Sequence, residues 1–245
     1  MSLIPPHVSA MFIALVFGVA FIILIAIYVT CKKANVPGKT LRNYSLVAII
    51  SMLAWLAVTL FITRTSMFRH IGTSQLQPVL LMLPPLAVIV ALMASPRFNK
   101  LIEPVDNFWF IYLQAYRILR EFILLLLFRY SVIPSAMTME GKNFDVLIGI
   151  TAPFVAYYWF KSKKWYRPLT LVWNLVGLFF ILNTLYSLFY QMPGANDMDV
   201  QNDLLFSFPF IWMPSFLAPF GIFLHLLSIR KVFQKEETPE PYLNV

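Results

Sequence analysis

The sequence predicts an all-α membrane protein, a polytopic transmembrane bundle of seven helices with its N-terminus outside and its C-terminus in the cytoplasm. The composition is the first of three observations behind this prediction. Of the 245 residues, 60% are hydrophobic and 12% charged, and the mean hydropathy is +0.74, whereas soluble domains average about 45–50% apolar and about 25% charged residues. No stretch leaves room for a soluble domain. We therefore expect one transmembrane domain at 1–235 and a short polar tail at 236–245.

The second observation is the number of long apolar runs. A helix needs about 20 predominantly apolar residues to cross the hydrocarbon core of a bilayer. The seven predicted spans are 8–30, 44–63, 76–95, 107–130, 144–160, 168–190 and 205–229. The fourth contains charged residues and the fifth has only 17 residues, so the number of spans depends on these two.

The third observation is how the basic residues are divided between the loops. With seven spans, thirteen Lys and Arg residues follow the odd-numbered helices and four follow the even-numbered ones. Because cytoplasmic loops are enriched in Lys and Arg, this bias fixes the orientation and favours a fourth segment that crosses. The thirteen are Lys32, Lys33, Lys39, Arg42, Arg97, Lys100, Lys161, Lys163, Lys164, Arg167, Arg230, Lys231 and Lys235; the four are Arg64, Arg69, Arg129 and Lys142.

A group of polar and charged residues occupies the middle of the fourth span. Gln114, Arg117 and Glu121 share one helical face, and Arg117 and Glu121 are spaced to pair at i, i+4. Arg120 lies further round the helix and needs another acceptor, for which Asp145 in the fifth span is a candidate. A charge at the bilayer centre costs about 2.5–3.5 kcal/mol on insertion scales, so these five residues are predicted to form a ligand-binding or ion-pair cluster.

Several interpretations of this cluster stay open. In the first, it binds or moves a small polar or anionic solute, with Arg117 and Arg120 facing the anion and Glu121 as partner or proton carrier. In the second, it is a structural salt-bridge network in a sensor, or in an assembly subunit that binds a membrane protein partner. In the third, residues 101–117 form an interfacial helix and the span begins only at Glu121.

Prolines and a histidine extend the candidate site to other helices. Each proline removes a backbone donor and frees a carbonyl, and broken helices of this kind line the binding sites of many transporters. His225, near the cytoplasmic end of the seventh span, is either an interfacial side chain or a proton relay. Asn174 and Ser228 are expected to hydrogen-bond between helices. The prolines that we predict to act as hinges in the third and seventh spans are Pro84, Pro85, Pro209, Pro214 and Pro219.

Several classes of function are disfavoured by what the sequence lacks. It contains no GxSxG, HExxH or Walker motif, and none of its three histidines has a second ligand at helical spacing, so we expect neither an enzyme nor a metal or other cofactor. The enzymatic alternative is a lipid-modifying one, with Glu121 or His225 reaching lipid through a lateral opening. The net charge of +8 resides in short loops at the membrane edge, so its expected partner is the lipid bilayer rather than nucleic acid.

Two segments resemble uncharacterised multi-pass membrane proteins of Bacteroidetes-type bacteria. They are MEGKNFDVLIGITAP, from Met139 to Pro153, and HLLS, from His225 to Ser228. The resemblance implies a multi-pass protein of the bacterial inner (plasma) membrane. It implies no activity.

Overall fold

A computed structural model describes residues 4–64, 77–133, 135–141, 143–161, 166–190 and 207–234. These residues form helices and turns with no strand among them, which confirms the all-α prediction. The predicted tail at 236–245 lies outside the described residues, as do Arg69, Lys142, Lys163, Lys164 and Lys235. The helices are α1 (Pro6–Lys33), α2 (Gly38–Arg64), α3 (Gln77–Ala94), α4 (Pro96–Ile102), α5 (Asn107–Tyr112), α6 (Tyr116–Arg129), α7 (Asp145–Lys161), α8 (Tyr166–Tyr190) and α9 (Ala218–Phe233).

Several helical segments are long and apolar enough to cross a membrane. Four meet this condition alone, and α3 with α4 makes a fifth if their 80° bend is a break within one span. The outer faces keep large apolar side chains exposed, among them Phe21, Phe61 and Phe179, as lipid contact requires. The chain is therefore a membrane protein. Because α6 has 14 residues and α7 has 17, crossing at the fourth and fifth predicted spans stays a prediction.

Contacts between distant residues bring particular helix ends together. His7, at the start of α1, packs against Tyr130, just after α6, with ring centroids 6.0 Å apart. At the other end of α1, Lys33 Nζ lies 3.0 Å from Asp106 Oδ2, immediately before α5. Near the end of α9, Arg230 donates a hydrogen bond of 2.6 Å to a backbone carbonyl at the end of α3. The first residue of α5 also donates a hydrogen bond to a backbone carbonyl in the second half of α9. The ends of α1, α3 and α9 thus lie on the side where α5 begins, and α6 ends on the side where α1 begins.

The charged residues in the middle of the fourth predicted span lie inside the bundle. α5 packs against α7 and α9, α6 packs against α1 and α7, and α8 contacts both α7 and α9. Gln114, in the 3-10 turn Leu113–Ala115 between α5 and α6, is fully buried, as is Arg117 one turn later. The single helix over 101–117 that the interfacial alternative requires is not formed, because α4 ends at Ile102 and α5 begins at Asn107. The position of this segment relative to the bilayer stays a prediction.

The prolines differ in their effect on the helices that contain them. α3 continues as a helix through Pro84 and Pro85. Near α9, by contrast, Pro214 lies in the π-helical turn Met213–Leu217 and Pro219 is the second residue of α9. Pro219 has no N–H for the carbonyl of Ser215, four residues earlier. The indole N–H of Trp55, on α2, donates to that carbonyl at 2.9 Å, so α2 is attached to the irregular start of α9.

Trp55→Phe is expected to lower the stability of the protein by about 1 kcal/mol, the net worth of a typical hydrogen bond, because the Ser215 carbonyl loses this donor. The measurement is the midpoint of thermal unfolding in detergent. Trp109→Phe is the matched control, since Trp109 on α5 is 47% exposed. Equal losses in the two variants would show that the indole of Trp55 contributes bulk rather than its hydrogen bond.

Candidate functional site

Two buried arginines share one carboxylate in the interior of the bundle. Arg117 and Arg120 are one turn apart on α6, and Asp145 is the first residue of α7. Arg117 Nη1 donates to Asp145 Oδ1, and Arg120 Nη2 donates to Asp145 Oδ2. Arg117 and Asp145 are fully buried and Arg120 is 6% exposed. This Arg117–Asp145–Arg120 triad carries one net positive charge when all three side chains are ionised.

Arg117 uses all three of its guanidinium nitrogens. Besides the bond to Asp145, Nε donates to Gln114 Oε1 at 2.9 Å and Nη2 lies 3.1 Å from His225 Nε2. A guanidinium only donates, so Nε2 of His225 must accept. The ring proton is then on Nδ1, which lies 2.8 Å from Asn174 Oδ1. His225 is therefore a neutral imidazole that joins Arg117 to α8.

The polar contacts continue from His225 toward the end of the bundle where α5 begins. Asn174 Nδ2 donates to Ser228 Oγ at 2.8 Å, as expected for an interhelical pair. Asn107 Nδ2 in turn donates to the carbonyl of Ser228 at 3.3 Å. His225 itself is fully buried among the helices. We call the triad, Gln114, His225, Asn174, Ser228 and Asn107 the polar network.

Glu121 does not form the predicted i, i+4 pair with Arg117. Its Oε1 accepts the backbone N–H of Met139 at 2.7 Å, whereas its Oε2 is buried and has no hydrogen-bond partner among the described residues. The predicted pairing fails because Arg117 turns toward α7, where Asp145 can bind it and Arg120 together. Glu121 instead attaches the segment 135–141 to α6.

Three glycines allow the surrounding helices to approach the polar network. A Cβ atom on Gly177 of α8 would overlap the ring of His225. One on Gly221 of α9 would lie 2.8 Å from Arg117 Nη2, and one on Gly149 of α7 would lie 3.1 Å from Arg117 Cβ. The sequence signal for these positions is weak, since small residues at helix interfaces are common in membrane bundles.

A cavity of about 40 Å³ lies beside the triad. One water molecule needs about 10–15 Å³ by this measure, so the cavity accommodates about three waters or one monatomic anion and is too small for a metabolite. Of the predicted hinge prolines, Pro214 contributes to its wall. The cavity is lined by Tyr116, Arg117, Arg120, Leu124, Met137, Asp145, Ile181, Thr184, Met213, Pro214 and Ala218.

Four of the five residues predicted for the cluster come together in the polar network, namely Gln114, Arg117, Arg120 and Asp145, and the fifth, Glu121, follows directly after Arg120 in the chain. The sequence also suggested a relay at His225, which contacts Arg117. The residues that sequence reasoning missed include Asn107, Tyr116 and Thr184. Tyr116 donates its hydroxyl proton to the carbonyl of Leu217 at 2.8 Å, and Thr184 Oγ1 donates to Asn143 Oδ1 at 2.9 Å. An aromatic or a threonine in an apolar helix gives no signal of its own.

Comparison with known proteins identifies a family but no relative. Residues 74–233 match the model of a family described as a domain of unknown function, DUF8737. This range contains every residue of the polar network. No curated protein and no solved structure matches the chain.

Proposed function

The chain belongs to the DUF8737 family, and we propose that it is a seven-span protein of the bacterial inner membrane that binds a small anion and moves it across the bilayer. The observation that carries this proposal is the cavity beside the triad. Arg117, Arg120 and Asp145 all contribute to its wall, so the residues that line it include two cations and one anion. Ionisable groups inside a membrane protein mark solute or ion pathways by default.

Two observations support seven spans with the N-terminus outside. The ends of α1, α3 and α9 share one side of the bundle, as judged from Lys33 with Asp106 and from Arg230 with the end of α3. Nine of the thirteen basic residues assigned to the cytoplasm lie at or after the ends of these three helices in the sequence, and the other four lie at or after the end of α7. An odd number of spans agrees with the start of α1 and the end of α9 lying at opposite ends.

Arg120 is the group best suited to hold the anion. It lines the cavity, and its Nε is buried without a hydrogen-bond partner among the described residues. A buried donor that stays unpaired lowers the stability of the folded protein by about 1–3 kcal/mol, and a hydrogen bond that involves a charged group contributes about 1.5–3 kcal/mol of stability. An anion that accepts a hydrogen bond from this Nε would gain this interaction. The cavity volume limits the ligand to a monatomic anion, and chloride is the anion that we choose to test binding.

Chloride is expected to stabilise the purified protein in detergent when it replaces gluconate at constant ionic strength, because a ligand that binds only the folded state raises the unfolding temperature. Arg120→Gln should weaken chloride binding at least about tenfold, equivalent to about 1.4 kcal/mol. This variant leaves Asp145 paired with Arg117, so it should fold. Chloride titration of the unfolding temperature gives the affinity.

Arg129→Gln is the matched control, since Arg129 is an exposed arginine at the end of the same helix. It should bind chloride like the wild type. The anion site is wrong if chloride and gluconate give the same unfolding temperature, or if the two variants lose affinity equally. Chloride flux in reconstituted vesicles then tests movement separately from binding.

The second candidate function is a structural one. Every guanidinium nitrogen of Arg117 has a protein acceptor, which favours a network that holds the helices of a sensor or assembly subunit. Such a protein would bind a membrane protein partner instead of a solute. Co-purification of a stable partner in mild detergent, together with no response to chloride, would favour this function.

A further inference from the structure

We propose that the anion binds together with one proton, and that Glu121 takes up this proton on Oε2. The proposal rests on the anion site proposed above and adds its coupling ion. It starts from the unpaired buried oxygen of Glu121 and from the number of charges in the interior of the bundle.

The triad beside the cavity has one net positive charge, and Glu121, which is not part of the cavity wall, cancels this charge when both carboxylates are ionised. Arg117 and Arg120 then balance Asp145 and Glu121, and an incoming anion would leave one uncompensated negative charge inside the bundle. Burial of an unpaired charge is costly, and a group in that position becomes neutral instead. If Glu121 binds a proton, the remaining three side chains carry one positive charge, which the anion neutralises. Anion and proton therefore stabilise each other in the site.

Glu121 is better placed to accept the proton than the other titratable groups. Asp145 binds both arginines through its two oxygens, so a proton there would break two ion pairs. His225 uses its Nε2 lone pair to accept from Arg117, and a proton on that nitrogen would add a third cation beside two arginines. Glu121 accepts only one hydrogen bond, from Met139, through Oε1. Its Oε2 can take a proton while this bond remains.

Among the described residues, few other charges surround Glu121. On its own helix the adjacent charge is Arg120, and from α7 Asp145 acts on it. The segment 135–141 contributes the Met139 amide and the exposed carboxylate of Glu140. α1 packs against α6 with buried apolar side chains such as Phe12, and its titratable His7 lies against Tyr130, beyond the end of α6. Glu121 is thus the buried carboxylate in this region that holds no arginine by an ion pair.

The test measures protons and chloride together. Chloride is added to the protein in weakly buffered detergent solution, at a pH at which Glu121 is ionised in the chloride-free protein. About one proton should then be taken up per chloride bound. In the same pH range the affinity for chloride should fall about tenfold for each unit of increase in pH. Glu121→Gln mimics the protonated side chain and can still accept from Met139. It should bind chloride with no proton uptake and with an affinity that does not depend on pH.

Two further variants make the assignment specific. Glu121→Asp keeps a carboxyl group and should keep the proton uptake, whereas Glu140→Gln removes the nearby exposed carboxylate and should leave the uptake unchanged. Chloride binding without proton uptake by the wild type would overturn the coupling but leave the anion site intact. Uptake that persists in Glu121→Gln would overturn the assignment to Glu121. Absence of chloride binding by the wild type at every pH would instead reject the proposed function itself.

Discussion

Asp145→Asn is expected to destabilise the protein by about 3–5 kcal/mol, a large part of the about 5–15 kcal/mol by which folded proteins are typically stable. The reason is that one carboxylate neutralises two arginines in the interior of the bundle. The amide that replaces it has no charge and presents one acceptor oxygen, so Arg117 and Arg120 remain buried without a counterion. The cost of such uncompensated charges exceeds the worth of the hydrogen bonds that are lost.

The measurement is the fraction of protein that elutes as a single species after detergent extraction, together with its unfolding temperature. Asp106→Asn is the matched control, because Asp106 also pairs with a cation, Lys33, but its side chain is 56% exposed and that of Lys33 39%. Exposed ion pairs contribute about 0–1 kcal/mol, so this control should behave like the wild type. Equal effects of the two substitutions would contradict a central role for the triad.

The double variant Asp145→Asn with Arg120→Gln gives a further check on the same residues. Its second substitution removes one of the two unpaired cations, so the double variant should be more stable than Asp145→Asn alone. The coupling energy from the four proteins of this double-mutant cycle measures the interaction between the two side chains. Independent, additive effects would mean that Arg120 and Asp145 do not form an ion pair in the membrane.

The positions of the helices follow closely from the sequence because the bilayer restricts what a chain can do. Backbone polar groups must be satisfied within each segment, so a long apolar run forms a helix. The fifth predicted span, 144–160, corresponds to α7 at Asp145–Lys161, and the first, 8–30, lies within α1. Hydrophobicity does not determine where a helix becomes irregular, and the break at Leu113–Ala115 had no signal.

The residues of the candidate site were predictable as a group, whereas their pairing was not. Charges in an apolar run identify the fourth span, since each needs a partner at that depth. The i, i+4 rule then selects Glu121 for Arg117, because it considers only neighbours on one helix. The acceptor that binds Arg117 is Asp145, 28 residues later. A carboxylate that binds two arginines across a helix interface satisfies more donors than a pair on one helix does. Which carboxylate pairs with Arg117 therefore depends on how the helices pack.

Gly177→Ala is expected to destabilise the protein by about 1–3 kcal/mol, although alanine favours a helix more than glycine does. Gly177 is buried on α8, directly against the ring of His225, and an added Cβ would overlap ring atoms. The ring has little freedom to move, because Asn174 holds Nδ1 and Arg117 holds Nε2. Relief of the overlap therefore requires that α8 and α9 separate or that the bond between His225 and Arg117 breaks.

Gly18→Ala provides the matched control on α1, since a Cβ atom at Gly18 would have no described heavy atom within 4 Å apart from its chain neighbours and the backbone of its own helix. This substitution should raise the stability by up to about 1 kcal/mol, because alanine loses less backbone entropy in a helix. The unfolding temperatures of the two variants should thus shift in opposite directions. His225→Ala removes the overlapping ring. Gly177→Ala should therefore lower the stability of the His225→Ala variant by much less than it lowers the stability of the wild type. An unchanged cost would show that His225 does not pack against α8, and the neutral imidazole link between α8 and Arg117 would then be wrong.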